Sequence, residues 1–76
     1  MWSERAIKVA RALEVLGWKY ICKEPEGEVW AFMGEHRKNM LCNIMDMHYD
    51  VTTDKYHDDR LWANLTEKAT PLGDIK

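Results

Sequence analysis

Seventy-six residues with a net charge of −2 and 46% hydrophobic side chains make one small globular domain, a balance that excludes a wholly disordered chain. A chain this short buries only about 60% of the surface its unfolded form exposes. It needs a disulfide, a metal, a partner subunit or an unusually aromatic core to exceed roughly 3 to 5 kcal/mol of stability, and four tryptophans, three tyrosines and five methionines point to the aromatic core.

Ser3 is a good N-cap, with Trp2 and Ile7 at the two positions of a hydrophobic staple. Residues 4–16 then read as a helix. Ala6, Val9, Ala10, Leu13 and Leu16 form one apolar stripe at three- and four-residue spacing, and Glu4, Lys8 and Arg11 lie on the opposite side. Gly17 is placed to end the helix in a left-handed cap.

The next stretch, "WKYICKEPEGEVWAFMG", reads as a β-hairpin. Glu24-Pro25-Glu26-Gly27 carries proline and glycine where a type I turn closed by a glycine bulge requires them. Glu24 then faces Glu28, Cys22 faces Trp30, Tyr20 faces Phe32 and Trp18 faces Gly34, so Trp18, Tyr20, Cys22, Trp30 and Phe32 gather on one face. The helix stripe is the expected cover for that aromatic face.

After the polar connection "GEHRKN", residues Met45 to Thr52 alternate strictly between apolar and polar, the pattern of a half-buried strand. A helix there would stack Asp46, Asp50, Asp54 and Asp58 at four-residue spacing, where like charges repel. "LWANLT" fits either a fourth strand or the middle of a helix running from Asp58 to Ala69, and Thr70-Pro71 ends either one. The tail should lay Leu72 and Ile75 against the body. The expected architecture is a single α+β domain over residues 1–76, in which an N-terminal helix packs on an antiparallel sheet of three or four strands. Its core should centre on Leu13, Leu16, Tyr20, Trp30, Phe32 and Trp62.

The run "LGWKYICKEPEGEVWAF", Leu16 to Phe32, resembles the opening of many small uncharacterised phage and prophage proteins of Gram-positive bacteria. These begin with a short helix, then leucine-glycine-aromatic, a "KYI" strand, a charged turn ending in Gly-Glu, and an aromatic-alanine-aromatic strand. Leu16, Gly17, Trp18, Lys19, Tyr20, Ile21, Gly27, Glu28, Trp30, Ala31 and Phe32 occupy those places, and Leu61 to Ile75 resembles their ending loosely. Pro25 stands where an acidic residue is more usual, and Thr66 where a tryptophan is expected. The resemblance implies a phage or mobile-element origin and favours a strand for the fourth element. It transfers no catalytic residue.

Several function classes are disfavoured by composition. Residues 1–39 carry seven Lys/Arg against six Glu, net +1, and residues 40–76 four Lys/Arg against seven acids, net −3. Neither half offers the cationic stripe that direct nucleic-acid binding needs, so the tryptophans read as core and not as base-stacking platforms. The four glycines have no phosphate-binding spacing. Cys22 falls on the aromatic face, a poor place for a nucleophile. Glu4 and Arg5 interrupt any signal-peptide core and the longest apolar run, "VWAFM", is too short to span a membrane. The expectation is a cytoplasmic protein of a bacterial host with free thiols at Cys22 and Cys42, a disulfide between them being the alternative.

The remaining candidate is "MDMHYDVTTDKYHDD", which holds five aspartates and two histidines. As a strand it puts Asp46, His48 and Asp50 on one face, and His57, Asp58 and Asp59 can fold back toward them. Asp46, His48, Asp50 and His57 are competent ligands for zinc or manganese, which would make this a small metal-binding protein or metal-dependent enzyme. The plainer reading is the solvated face of a half-buried strand. A third makes Asp46, His48, Asp50, Asp54, His57, Asp58 and Asp59 a docking surface for a basic partner. The leading expectation is a non-enzymatic phage-type protein without a cofactor that occupies a host protein surface, for instance as an inhibitor of a defence system. A self-assembling module burying Met33, Met40 or Met47 across a symmetric interface is the other alternative.

Overall fold

The computed structural model describes residues 2–33, 48–53 and 57–76. Helix α1 spans Glu4–Val15. At its start the Ser3 hydroxyl oxygen accepts from the Ala6 backbone N–H at 3.1 Å, and Trp2 and Ile7 both pack on the main core, as a staple should. At its end Gly17 takes φ 101°. The Gly17 N–H donates to the Glu14 carbonyl at 2.9 Å and the Trp18 N–H to that of Leu13 at 3.1 Å, the paired bonds of a Schellman cap.

Four antiparallel strands follow: β1 Tyr20–Lys23, β2 Val29–Phe32, β3 His48–Asp50 and β4 Thr70–Pro71, side by side in the order β3-β2-β1-β4. The hairpin register is the expected one, with Tyr20 opposite Phe32 and Cys22 opposite Trp30. The turn closes by a Glu24 N–H to Glu28 carbonyl bond of 2.7 Å and a Gly27 N–H to Glu24 carbonyl bond of 2.8 Å, with Gly27 at φ 101°. The pairings of Trp18 with Gly34 and the strand stretch from Met45 to Met47 lie outside the described residues.

Two strand expectations are corrected. The third strand ends at Asp50, and Val51–Thr53 form a 3-10 turn instead of continuing to Thr52. The Asp50 carboxylate accepts from the backbone N–H of Thr52 at 3.0 Å and also from its hydroxyl, a local bond that competes with the ladder. "LWANLT" is neither strand nor long helix. Asp59–Trp62 make a 3-10 turn, and the Thr66 carbonyl accepts from the Lys23 N–H at 2.9 Å, which ties this segment to β1 and precludes a helix through Ala69. The fourth strand is Thr70–Pro71 itself, at the sheet edge where proline is tolerated.

Leu13, Phe32 and Trp62 are buried as expected, but Tyr20 and Trp30 are only half-buried and Leu16 is 69% exposed. The helix covers the other face of the sheet. Ala6, Ala10 and Leu13 pack with Ile21, Val29 and Ala31, and Val51, Trp62, Leu65, Leu72 and Ile75 complete this core. Cys22 and Phe32 form a separate cluster with Tyr20, Trp30 and Ala69, in which the Tyr20 and Phe32 rings stack with centroids 6.1 Å apart. Alanines on the helix let its backbone approach side chains of modest height, whereas a row of aromatic rings would hold it away.

The thiol expectation is also overturned: Cys22 is disulfide-bonded, and the one other cysteine of the chain is Cys42, outside the described residues. The tail behaves as expected, with Leu72 and Ile75 fully buried. Its anchor is Arg11, assigned by its spacing to the solvated side of the helix. One guanidinium nitrogen donates to the carbonyls of Leu72 and, at 2.7 Å, Ile75, while Nε meets Glu14 at 2.8 Å.

Candidate functional site: an apolar groove beside the acidic segment

The acidic segment is distributed over different surroundings. Asp46 and Asp54 lie outside the described residues, as does the side chain of His48. Strand register sets His48 opposite Phe32 and Asp50 opposite Trp30, so these positions belong to the aromatic side of the sheet. His57 sits on the other side, where it lines a groove against α1. Among the described residues no three His, Cys, Asp or Glu side chains converge in a way that could hold a metal ion.

Each described aspartate of the segment has local work. Asp50 caps its own turn through Thr52. Asp58 is the N-cap of the 59–62 turn: it accepts from the Arg60 backbone N–H at 3.0 Å and from its guanidinium at 3.2 and 2.9 Å. The Arg60 bonds, and to a lesser degree the positive field of Arg60 and Arg5, hold the Asp58 carboxyl down at about 2 against an ordinary 3.8. The ionised form is thus favoured by folding, and its stabilisation is present above pH 3.8 and lost as the pH falls through about 2. Asp59 is exposed and accepts from His57 Nε2 at 2.7 Å. Because a carboxylate only accepts, this contact places the proton of a neutral His57 on Nε2 and leaves Nδ1 as an acceptor.

Periodicity and turn chemistry together build the groove. Val9, Leu13 and Leu16 extend along one side of α1, Tyr49 comes from β3, and the capped turn brings His57, Leu61 and Trp62 against them. The Tyr49 ring is stacked on Trp18, with centroids 6.0 Å apart, and Trp2 meets Trp62 edge-on at 6.4 Å. The resulting cavity of about 220 Å³ has mostly apolar walls. Two polar atoms of its lining residues, His57 Nδ1 and Trp62 Nε1, are buried without a hydrogen-bond partner. Leu16, 69% exposed, lines the groove where the helix ends, next in sequence to Val15, 86% exposed.

Sequence reasoning missed this site because it assigned Leu16 and Trp62 to a continuous core and His57 to the acidic segment. The one signal that could have found it is Leu16 itself, the last residue of the stripe, next to Gly17, where the helix ends before the sheet can cover it. No helix among the described residues is long and apolar enough to cross a membrane. Comparison of the chain with protein-family models, with curated proteins and with solved structures finds no match in any of the three.

Proposed function

We propose that this is a non-enzymatic binding protein that occupies the surface of a partner protein, in the manner of a phage-encoded inhibitor acting on a host. The observation that carries the reading is the exposed pair Val15 and Leu16 at the end of α1. Met33 is also exposed, and its terminal methyl would lie 3.5 Å from a Cβ placed on Gly17, the residue that follows the pair. Leu16 continues into the apolar groove. Contiguous exposed apolar surface is a feature of protein interaction sites, and these side chains with the groove beside Leu16 are where this chain offers it.

The contact centre therefore moves away from the acidic segment as a whole. Asp50 and Asp58 are engaged by Thr52 and Arg60, and Asp59, though it accepts from His57, is 84% exposed and is the described aspartate best placed to form an acidic rim. The phage-type origin rests on the helix-and-hairpin resemblance. The Cys22 disulfide favours an encounter in an oxidising compartment over one in the cytoplasm.

The test uses the full chain as bait in a bacterial lysate, next to a Val15→Glu, Leu16→Glu double variant that should fold normally because both side chains are exposed. A partner recovered in stoichiometric amount with the wild type and lost with the variant supports the reading. Equal recovery by both, or no specific partner, sinks it. Sedimentation showing a dimer that the same two substitutions dissolve would instead favour the self-assembling module.

A further inference from the structure

We propose that the disulfide at Cys22 makes folding conditional on oxidation, so that the chain holds its structure in an oxidising compartment and loses it in a reducing one. Cys22 is disulfide-bonded and the chain has one other cysteine, Cys42, so within a single chain the bond joins these two. It closes a loop of about twenty residues, and a bond across a loop of that size lowers the unfolding constant by about a hundredfold. The folded-to-unfolded ratio expected of a domain this small is itself only on the order of a hundred to a few thousand. Loss of the bond therefore removes most of it, which is why small disulfide-bonded domains often fail to fold at about 37 °C without their bridge.

The position of Cys22 makes the effect global. It is fully buried in β1, the strand that pairs with β2 on one side and β4 on the other. Its neighbour Ile21 belongs to the core that holds α1. The Lys23 N–H donates to the Thr66 carbonyl at 2.9 Å, and the Lys19 carbonyl accepts from the Leu72 N–H at 2.8 Å. Helix, hairpin and tail thus all attach to one strand, so freeing Cys22 loosens one cooperative unit and not a local loop. In the redox step the S–S bond at Cys22 breaks as two molecules of a monothiol such as glutathione join in a disulfide, and each protein sulfur gains one electron and one proton. The linkage is reciprocal: the fold holds the bond against reduction by the same factor by which the bond holds the fold. Val15 and Leu16 stand at the end of α1, so the apolar surface they offer exists only in the oxidised chain.

The experiment records the amide NMR spectrum of the full chain at about 37 °C, oxidised and then in excess reductant, with Cys42→Ser in buffer alone as a third sample. The expected result is dispersed signals in the oxidised chain, collapse to the narrow range of an unfolded chain on reduction, and the same collapse in Cys42→Ser. A reduced wild type that keeps its dispersed spectrum overturns the proposal, and so does a folded Cys42→Ser variant. Equilibration with glutathione buffers gives the reciprocal readout. The bond should be about a hundredfold harder to reduce in native buffer than in concentrated urea, and equal ease in both overturns the proposal too. These readouts concern folding alone, so their outcome is separate from that of the partner-binding reading.

Discussion

The two faces of the hairpin are both apolar, yet they are built and covered differently. One face shows Ile21, Val29 and Ala31 to a helix that answers with Ala6, Ala10 and Leu13. The other carries Tyr20, Trp30 and Phe32 around Cys22, with rings stacked on one another. The first face closes by backbone approach, because small side chains on both surfaces leave little between helix and sheet. The second closes by ring stacking and by a covalent bond at Cys22. Shape complementarity, more than total hydrophobicity, decides which face receives the helix.

The largest expected effect tests whether the helix-side core is the one that holds the fold. Trp62 is its largest fully buried side chain, and Trp62→Ala should cost about 3 to 5 kcal/mol, comparable to the whole stability expected of a domain this size. Chemical denaturation followed by circular dichroism should find the variant largely unfolded in buffer. A folded variant with a small midpoint change would move the weight of the fold to the aromatic face.

Reduction tests the other face. If Cys22 pairs with Cys42, the bond closes a loop of about twenty residues and contributes about 3 kcal/mol through the unfolded chain. Thiol titration in denaturant should give no reactive thiol before reduction and two after it, with the urea midpoint falling accordingly. Two thiols before reduction would leave stacking alone to close the aromatic face and would restore the cytoplasmic expectation.

The limits of legibility in the sequence follow the same division. Features set by neighbours along the chain were readable: the Ser3 cap, the Gly17 stop, the Gly27 turn and the register from Glu24 to Tyr20 each depend on residues a few positions apart. Period two divides a strand into two faces but does not say which face the helix takes, and here both were apolar. Arg11 shows the same limit, since helical spacing places it on the polar side while its partners, the Leu72 and Ile75 carbonyls, come from the far end of the chain. Of the candidate site, the individual aspartates and histidines were evident, but their engagement by Thr52, Arg60 and one another depends on 3-10 turns that periodicity does not signal.

A matched pair of substitutions sharpens the contrast between the faces. Ala10 is fully buried at the helix side, so Ala10→Leu forces the helix off the sheet and should cost about 1 to 3 kcal/mol. Tyr20 is half-buried on the aromatic side, where neighbours have room to adjust, and Tyr20→Leu should cost less than about 1.5 kcal/mol. Thermal melts of both under identical conditions give the ordering, and a reversed order would mean that the aromatic rings are packed more tightly than the helix contact.

The turn that joins β1 to β2 should give the smallest effect, and one with a distinctive pH dependence. Glu24 has its pKa raised above the ordinary 4.5, first by burial and then by the negative charges of Glu28 and Glu26. Folding thus disfavours its ionised form, and this destabilisation is absent below pH 4.5 and develops as the pH rises through the folded-state pKa. Asp58 carries the opposite sign, because folding favours its ionised form. Glu24→Gln should therefore stabilise the protein at pH 7 by no more than about 0.5 kcal/mol, as expected of a surface change, and the gain should vanish at pH 3.5. Urea midpoints at the two pH values decide the point: a gain that persists at pH 3.5 would trace to the geometry of the glutamine in the turn and not to relief of its charge.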